Sequence, residues 1–399
     1  MGPGLDDQRP PWAEATALVR GGLNRTGFDE TAEALFLTSG YVYHSAAEAE
    51  AAFAGDLDRY IYSRYGNPTV TMFEERLRIL EGAEACRATA SGMAAVFAAL
   101  ACYLNAGDRV VGSRALFGSC FVILDEILPR WGIDTELIDG TSLDEWDRAL
   151  ANGARAVFLE TPSNPSLELI DLVAVCERAH AAGAIVVVDN VFATPVLQKP
   201  LDFGADVVVY SATKHIDGQG RTLGGAVLGS EEFISEHLVP FMRHTGPSLS
   251  PFNAWVLTKG LETLRLRVDA QSAAAHELAC RLENGGRSVR YPYLASHPQA
   301  DLAKAQMGAG GTILTIDVGD KDRAFAFVDR LELCDISNNI GDTKTLVTHP
   351  ATTTHRRLGA EARAAVGIGD GLVRISVGLE DVDDLHADIA QALGQLGSR

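Results

Sequence analysis

The sequence predicts an α/β fold, with a large region on a mostly parallel sheet and a smaller α+β region after it. Three observations predict this. Short runs rich in β-branched residues, DRVVGS (108–113), ARAVFLE (154–160), AIVVVDN (184–190) and DVVVYS (206–211), alternate with helical stretches. Strands that are apolar along their whole length belong to sheets covered on both faces. Beyond about residue 255 the alternation changes character, and 399 residues at 47% apolar content suffice for one large and one smaller core.

Taken in order, residues 1–60 read as an N-terminal arm, with a short amphipathic helix from Trp12 to Leu23 and a second over 46–54. Such an arm either embraces a partner subunit or hangs as a loosely packed tail. Residues 61–254 form the large domain. Its first helix, within 67–82, has Asn67 as N-cap, Pro68 at the first helical position, apolar residues at 73, 77 and 80, and Gly82 as its stop. SGMAAVFAALACYL (91–104) predicts a helix, as do 120–130 and DLVAVCERAHAAG (171–183) between the strands named above. Residues 255–399 form the small domain. Helical stretches over 253–284 lead into strands at 310–318, 344–349 and 372–378, with helices at 321–333 and from 380 onward. No internal repeat or low-complexity segment interrupts the series.

A net charge of −19 without any basic stripe argues against nucleic acid as a partner. The six cysteines (86, 102, 120, 176, 280 and 334) show no CxxC pair and no Cys-His ligand spacing, which suits scattered thiols in a reducing compartment rather than disulfides or zinc. MGPGLDDQRPPWAEAT has no cationic segment followed by an apolar one, so no signal peptide is expected. No apolar run reaches membrane-spanning length. A soluble cytoplasmic protein without a metal is the expectation.

Ligand sites in parallel sheets lie at the carboxyl ends of the strands. ARAVFLE runs into Glu160-Thr-Pro-Ser-Asn164, AIVVV into Asp189-Asn190, and DVVVY into Ser211-Ala-Thr213-Lys214. Singly each is weak: an acid closing a strand often only caps a helix, and a lysine after a strand is usually solvated. Together they suit pyridoxal phosphate (PLP). A Schiff base needs a neutral amine, and a free lysine, titrating near ~10.4, is less than ~1% neutral at pH 7. A low-dielectric strand-end pocket lowers that pKa. Asp189 can keep a pyridine nitrogen protonated, and the Ser211 and Thr213 hydroxyls stand where a phosphate on the same ring would sit. The Ser91-Gly92-Met93 helix start offers amides to an anion, and Tyr62 and Arg64 add a phenol and a guanidinium suited to phosphate. The alternative loop GQGRTLGG (218–225) matches no nucleotide-binding pattern.

With YSRYGNPT, SGMAA, ETPSNPSLELID, VVVDNVFATP, YSATKHIDGQGRTLGG, HPATTTH and LVRISVGLED, the chain resembles the Cys/Met-metabolism PLP-dependent enzymes of fold type I. These blocks run in order from about residue 60 to 381. The resemblance implies that Lys214 is the Schiff-base lysine, Asp189 the partner of the pyridine nitrogen, and Asn164 a neighbour of the cofactor's 3′-oxygen. Gly92, Met93, Ser211 and Thr213 would hold the phosphate. Tyr62 and Arg64 would reach the phosphate of a neighbouring subunit's cofactor, in a homo-oligomer for which the resemblance favours a tetramer of two active dimers. Arg374, which unaided reads as a strand-edge charge, would take the substrate carboxylate, with Asn339, Lys344 and Thr345 also at the substrate.

Two departures refine the expectation. Where many relatives carry Y-G-G-T with a ring-stacking tyrosine, this chain has Phe117-Gly-Ser-Cys120, whose phenyl stacks but transfers no proton, so Tyr62 or Lys214 must cover any acid-base role of that tyrosine. Asn339-Ile-Gly-Asp-Thr-Lys344-Thr345 replaces the more usual S-L-G-G-x-E-S. Lys344 would repel the distal ammonium of cysteine by at most about 4 kcal/mol at close contact; otherwise it is a solvated loop lysine. The resemblance therefore implies the homoserine-ester sulfhydrylases, and within them exchange of the succinyl group of O-succinylhomoserine for sulfide to give homocysteine for methionine biosynthesis. Cystathionine γ-synthase, O-acetylhomoserine sulfhydrylase and γ-lyase activities remain the alternatives. What binds the acyl carboxylate is not legible.

Overall fold

The computed structural model describes residues 12–396. The reading of the first eleven residues as free of a signal peptide lies outside that range.

The larger sheet comprises β1 (Ala85–Thr89), β2 (Arg109–Ser113), β3 (Asp134–Ile138), β4 (Ala156–Glu160), β5 (Ile185–Asp189), β6 (Val207–Tyr210) and β7 (Gly225–Gly229). Their order is β1-β7-β6-β5-β4-β2-β3. β2 through β6 pair in parallel, and β7 runs antiparallel to both of its neighbours. Side chains alternate across the sheet as a period of two requires. Phe158 and Val187 join Val96, Leu100 and Leu124 on one face. Val157, Leu159, Val186 and Val188 join Trp146, Leu172 and Val175 on the other. That is why these strands read as continuous apolar runs. The expected α/β class with a mostly parallel sheet is what the chain adopts.

The helices on this sheet start and stop as expected. Asn67 accepts from the Thr69 amide to cap the helix Pro68–Glu81, and left-handed Gly82 ends it. Ser91 accepts from the Ala94 amide at the start of the helix Gly92–Ala101. The helix expected over 120–130 is present from Gly118 to Trp131, but its pitch changes along its length. A turn at Gly118–Val122 passes into a π-helical turn at Ile123–Ile127 and a 3-10 turn at Leu128–Trp131, because Pro129 carries no amide to donate.

Three strands of this sheet went unrecognised. β1 (ACRAT) and β3 (DTELI) are the edge strands; Arg87 interrupts the first, and Asp134 and Glu136 alternate in the second. β7 (GAVLG) begins and ends in glycine, and space dictates the first of these. A Cβ on Gly225 would lie 2.3 Å from the Ser91 carbonyl oxygen and 2.5 Å from the Thr89 hydroxyl.

A second sheet comprises β8 (Ser288–Arg290), β9 (Ile313–Asp317), β10 (Asp335–Ile336), β11 (Leu346–Thr348) and β12 (Leu372–Ser376), in the order β10-β11-β12-β9-β8. The helices Leu264–Asn284 and Val382–Gly394 cover it, enclosing Leu278, Leu314, Phe327, Val373 and Ile389. β12 lies inside this sheet, between β11 and β9. Of the N-terminal segment, the helix Glu14–Arg20 packs on Pro68–Glu81 through Ala17 and Leu18. The segment after it leaves Phe28, Leu37 and Val42 strongly exposed.

Candidate active site

The carboxyl ends of β4, β5 and β6 open onto a cavity of about 240 Å³. Its lining joins Ser91, Gly92 and Met93 from a helix start, Phe117, Glu160, Asn164, Asp189, Ser211, Thr213 and Lys214 from the large sheet, and Arg374 from the second sheet. Residues nearly 300 positions apart thus converge where the strand-end rule places a ligand.

The Lys214 amine donates to the Asn339 side-chain oxygen at 2.5 Å. Burial, and then the charge of Arg374, lower its pKa to about 8. Asp189, at the end of β5, is buried, and burial raises its pKa to about 6. Its oxygens meet the Val191 amide at 3.1 Å and the Cys120 thiol at 3.9 Å. Among the described residues it has no ion-pair partner, and the protonated nitrogen of a bound pyridine ring would supply the cation this arrangement lacks.

The wall opposite is built for close approach. A Cβ on Gly92 would stand 2.5 Å from the Ser211 Cβ, so glycine alone lets the helix start lie against Ser211. The first-turn amides of Gly92 and Met93 have no carbonyl in their own helix, which makes this end an anion site. The Thr213 hydroxyl exchanges hydrogen bonds with the Gly224 backbone, donating at 3.2 Å and accepting at 3.1 Å. Amides and hydroxyls suited to a phosphate, a lysine of lowered pKa and a buried unpaired carboxylate around one cavity fit PLP.

Arg374 is buried. It donates to the Asn164 side-chain oxygen and the Asn338 carbonyl, both at 2.9 Å, and to the Asn339 carbonyl at 3.3 Å. Its Nε has no partner, and burial lowers its pKa to about 10. The strand-edge reading of Arg374 therefore fails, because β12 is an interior strand whose five residues are all buried. Phe117 lines the same cavity.

Five expected residues do not line it, although one of them, Asn339, reaches it by accepting from the Lys214 amine. Tyr62 and Arg64 belong to a separate groove with Leu37, Ser39 and Pro251. There the Arg64 guanidinium donates to the Arg243 carbonyl and sits over the Tyr62 and Tyr65 rings at 5.2 and 4.9 Å. Lys344 is on the surface, its side chain 63% exposed and 3.5 Å from Asp342. A solvated, paired ammonium has little field left to repel a substrate, contrary to the expectation for Lys344. Thr345 is buried elsewhere, donating from hydroxyl and amide to Glu380 at 2.8 and 2.7 Å; it braces the loop before β11.

Glu160 was visible as a strand end but received no role. β4 and β5 pair Glu160 directly with Asp189, and Glu160 accepts from the Phe117 and Asn164 amides at 2.7 and 2.9 Å. Burial first, and Asp189 second, push its pKa well up. The in-register strand ends were the available signal. Among the described residues no cluster of metal ligands is present, and no helix is long and apolar enough to cross a membrane.

Residues 15–394 match the family described as Cys/Met metabolism PLP-dependent enzyme. The chain is 63% identical over 390 residues to the O-succinylhomoserine sulfhydrylase of Mycobacterium tuberculosis, covering 96% of both chains. It is 50% identical to that of Pseudomonas aeruginosa, covering 98% of both. A crystal structure from Campylobacter jejuni, described as an O-acetylhomoserine (thiol)-lyase with N'-pyridoxyl-lysine-5'-monophosphate, superposes with a TM-score of 0.92 at 30% identity over 96% of this chain and all of that one. The chain belongs to the Cys/Met metabolism PLP-dependent enzymes, and its cofactor is PLP.

Proposed function

We propose, from that membership, that the chain is an O-succinylhomoserine sulfhydrylase. It exchanges the γ-succinyloxy group of O-succinyl-L-homoserine for sulfide, releasing succinate and L-homocysteine for methionine biosynthesis. The observation that carries this reading is the near-full-length identity to two such sulfhydrylases.

Bound PLP supplies an electron sink for charge developing next to the substrate's α-carbon. Lys214 holds the cofactor and then moves the proton at Cα. With a pKa of about 8, roughly a tenth of the free amine is neutral at pH 7. Asp189 holds a proton on the ring nitrogen. Gly92, Met93, Ser211 and Thr213 bind the phosphate, Phe117 stacks on the ring, and Asn164 lies by its 3′-oxygen. Arg374, with Asn339 beside it, orients the substrate carboxylate. Phe117 cannot exchange a proton, which leaves that task to Lys214, which lines the cavity, or to Tyr62 reaching in from a neighbouring subunit.

The functional unit is a homo-oligomer, a tetramer of two dimers, in which Tyr62 and Arg64 serve the partner's cofactor phosphate. Their position outside their own chain's cavity supports this, as do the exposed apolar residues Leu37, Val42 and Phe53 on the N-terminal segment. Six free thiols suit a cytoplasmic location.

The test supplies O-succinyl- or O-acetylhomoserine, each with sulfide or cysteine, and identifies products by mass spectrometry. Homocysteine chiefly from the succinyl ester and sulfide is expected. Cystathionine as the main product would reassign the chain as a cystathionine γ-synthase.

A further inference from the structure

Glu160 is 3% exposed and ends β4 beside a second buried carboxylate, Asp189. A buried carboxylate is costly to charge, and a like neighbour makes it costlier. If the two amides it accepts needed only a partner, a neutral side chain or a backbone carbonyl would do at lower cost. Both amides belong to residues that face the cofactor cavity. One is that of Phe117, whose ring lines it; the other is that of Asn164, whose side-chain oxygen holds Arg374 at 2.9 Å. The carboxylate whose field acts on Arg374 is also Glu160.

We propose that Glu160 is a positioning residue. By holding the backbones of Phe117 and Asn164 together, its carboxylate ties the ring that stacks on PLP to the guanidinium that takes the substrate carboxylate. The inference rests on the functional reading above for the roles of Phe117 and Arg374. Glu160 borders the cavity but acts through Phe117 and Asn164, fixing the distance and tilt between the two surfaces they carry.

The discriminating variant is Glu160→Gln in the PLP-loaded enzyme. Its amide keeps the shape but turns an NH₂ toward one of the two backbone donors, so one bond is lost. The expected result is a roughly tenfold rise in KM for the amino-acid ester, with a much smaller change in kcat. The visible circular dichroism of bound PLP should change, while borohydride still traps cofactor on Lys214. In combination with Arg374→Lys, the two effects on KM should be less than additive, because both act through one contact. A purely structural Glu160 would instead lower Tm and leave KM and the visible dichroism of the folded protein unchanged, with additive double-mutant effects; that pattern overturns the proposal. Should Glu160→Gln not fold, Glu160→Asp, too short to reach both amides, is judged by the same criteria. Wild-type protein that binds PLP but does not turn over the ester would overturn the functional reading, and the dichroism would still decide the role of Glu160.

Discussion

The Lys214 amine, whose pKa is about 8, owes its reactivity first to burial and second to the Arg374 guanidinium on the facing sheet. Since both effects disfavour the charged form, the neutral fraction rises with pH through that value. The rate at which apoenzyme captures PLP should therefore increase with pH, with an inflection near 8, when followed by the absorbance of the lysine-bound chromophore. A rate flat across that range would show that the amine is not the titrating group. Arg374 makes the complementary case. Its guanidinium is buried and held by Asn164 and two carbonyls, so on the proposed reading it would meet a carboxylate without reorganising. Arg374→Ala is expected to cost about 3 kcal/mol of substrate binding, roughly a hundredfold in KM, with PLP still retained. Lys344 shows the opposite lesson, since an attractive residue type in an attractive motif ends in solvent beside Asp342.

Among the elements, the decisive feature is how closely backbones approach around the cofactor cavity. Gly92 lets the helix Gly92–Ala101 press its first turn onto Ser211. Gly92→Ala should weaken PLP binding at least tenfold by pushing the phosphate-facing amides away, measured by fluorescence titration of apoenzyme. Gly341 does similar service on the other side. Its φ is +72°, and a Cβ there would meet the His215 amide nitrogen at 2.7 Å. The segment it belongs to carries Asn339, which holds the Lys214 amine. Gly341→Ala combines a left-handed backbone with a clash against main chain. It is expected to lower stability by about 1–3 kcal/mol in a denaturant titration, and to loosen cofactor binding with it. A variant as stable as wild type would mean the loop yields at no cost.

Over the whole molecule, neither sheet alone makes the site. Lys214, Asp189 and the Gly92 and Met93 amides come from one, Arg374 from the other, and the charge of Arg374 adds to burial in lowering the pKa of Lys214. Assembly is expected to extend this sharing between chains. Lys214→Ala and Arg64→Ala subunits, each nearly inactive alone, should recover activity when dissociated and reassembled together. A random mixture of such dimers would restore roughly a quarter of the wild-type sites. No recovery after verified subunit exchange would place Arg64 in the service of its own chain.

The sequence by itself determined the parts whose physics is local. Apolar β-branched runs have to be buried on both faces, so β2, β4, β5 and β6 were legible. Caps such as Asn67, Ser91 and Gly82 set helix ends within a few residues. The strand-end trio of Asn164, Asp189 and Lys214 was legible because topology carries ligands to that edge of any parallel sheet, and all three line the cavity. Tertiary structure decided the rest, because those properties depend on what lies opposite rather than on what lies adjacent in sequence. Edge strands β1 and β3 look polar until their neighbours are known, and β7 looks like a loop until two strands enclose it. Whether Arg374 is a surface charge or a buried clamp depends on β9 and β11 flanking its strand. The fates of Glu160 and Lys344 depend on the same kind of distance. One meets the Phe117 amide and a second acid from other segments as well as the Asn164 amide of its own, the other lies in solvent beside Asp342, and sequence alone does not place those distant partners.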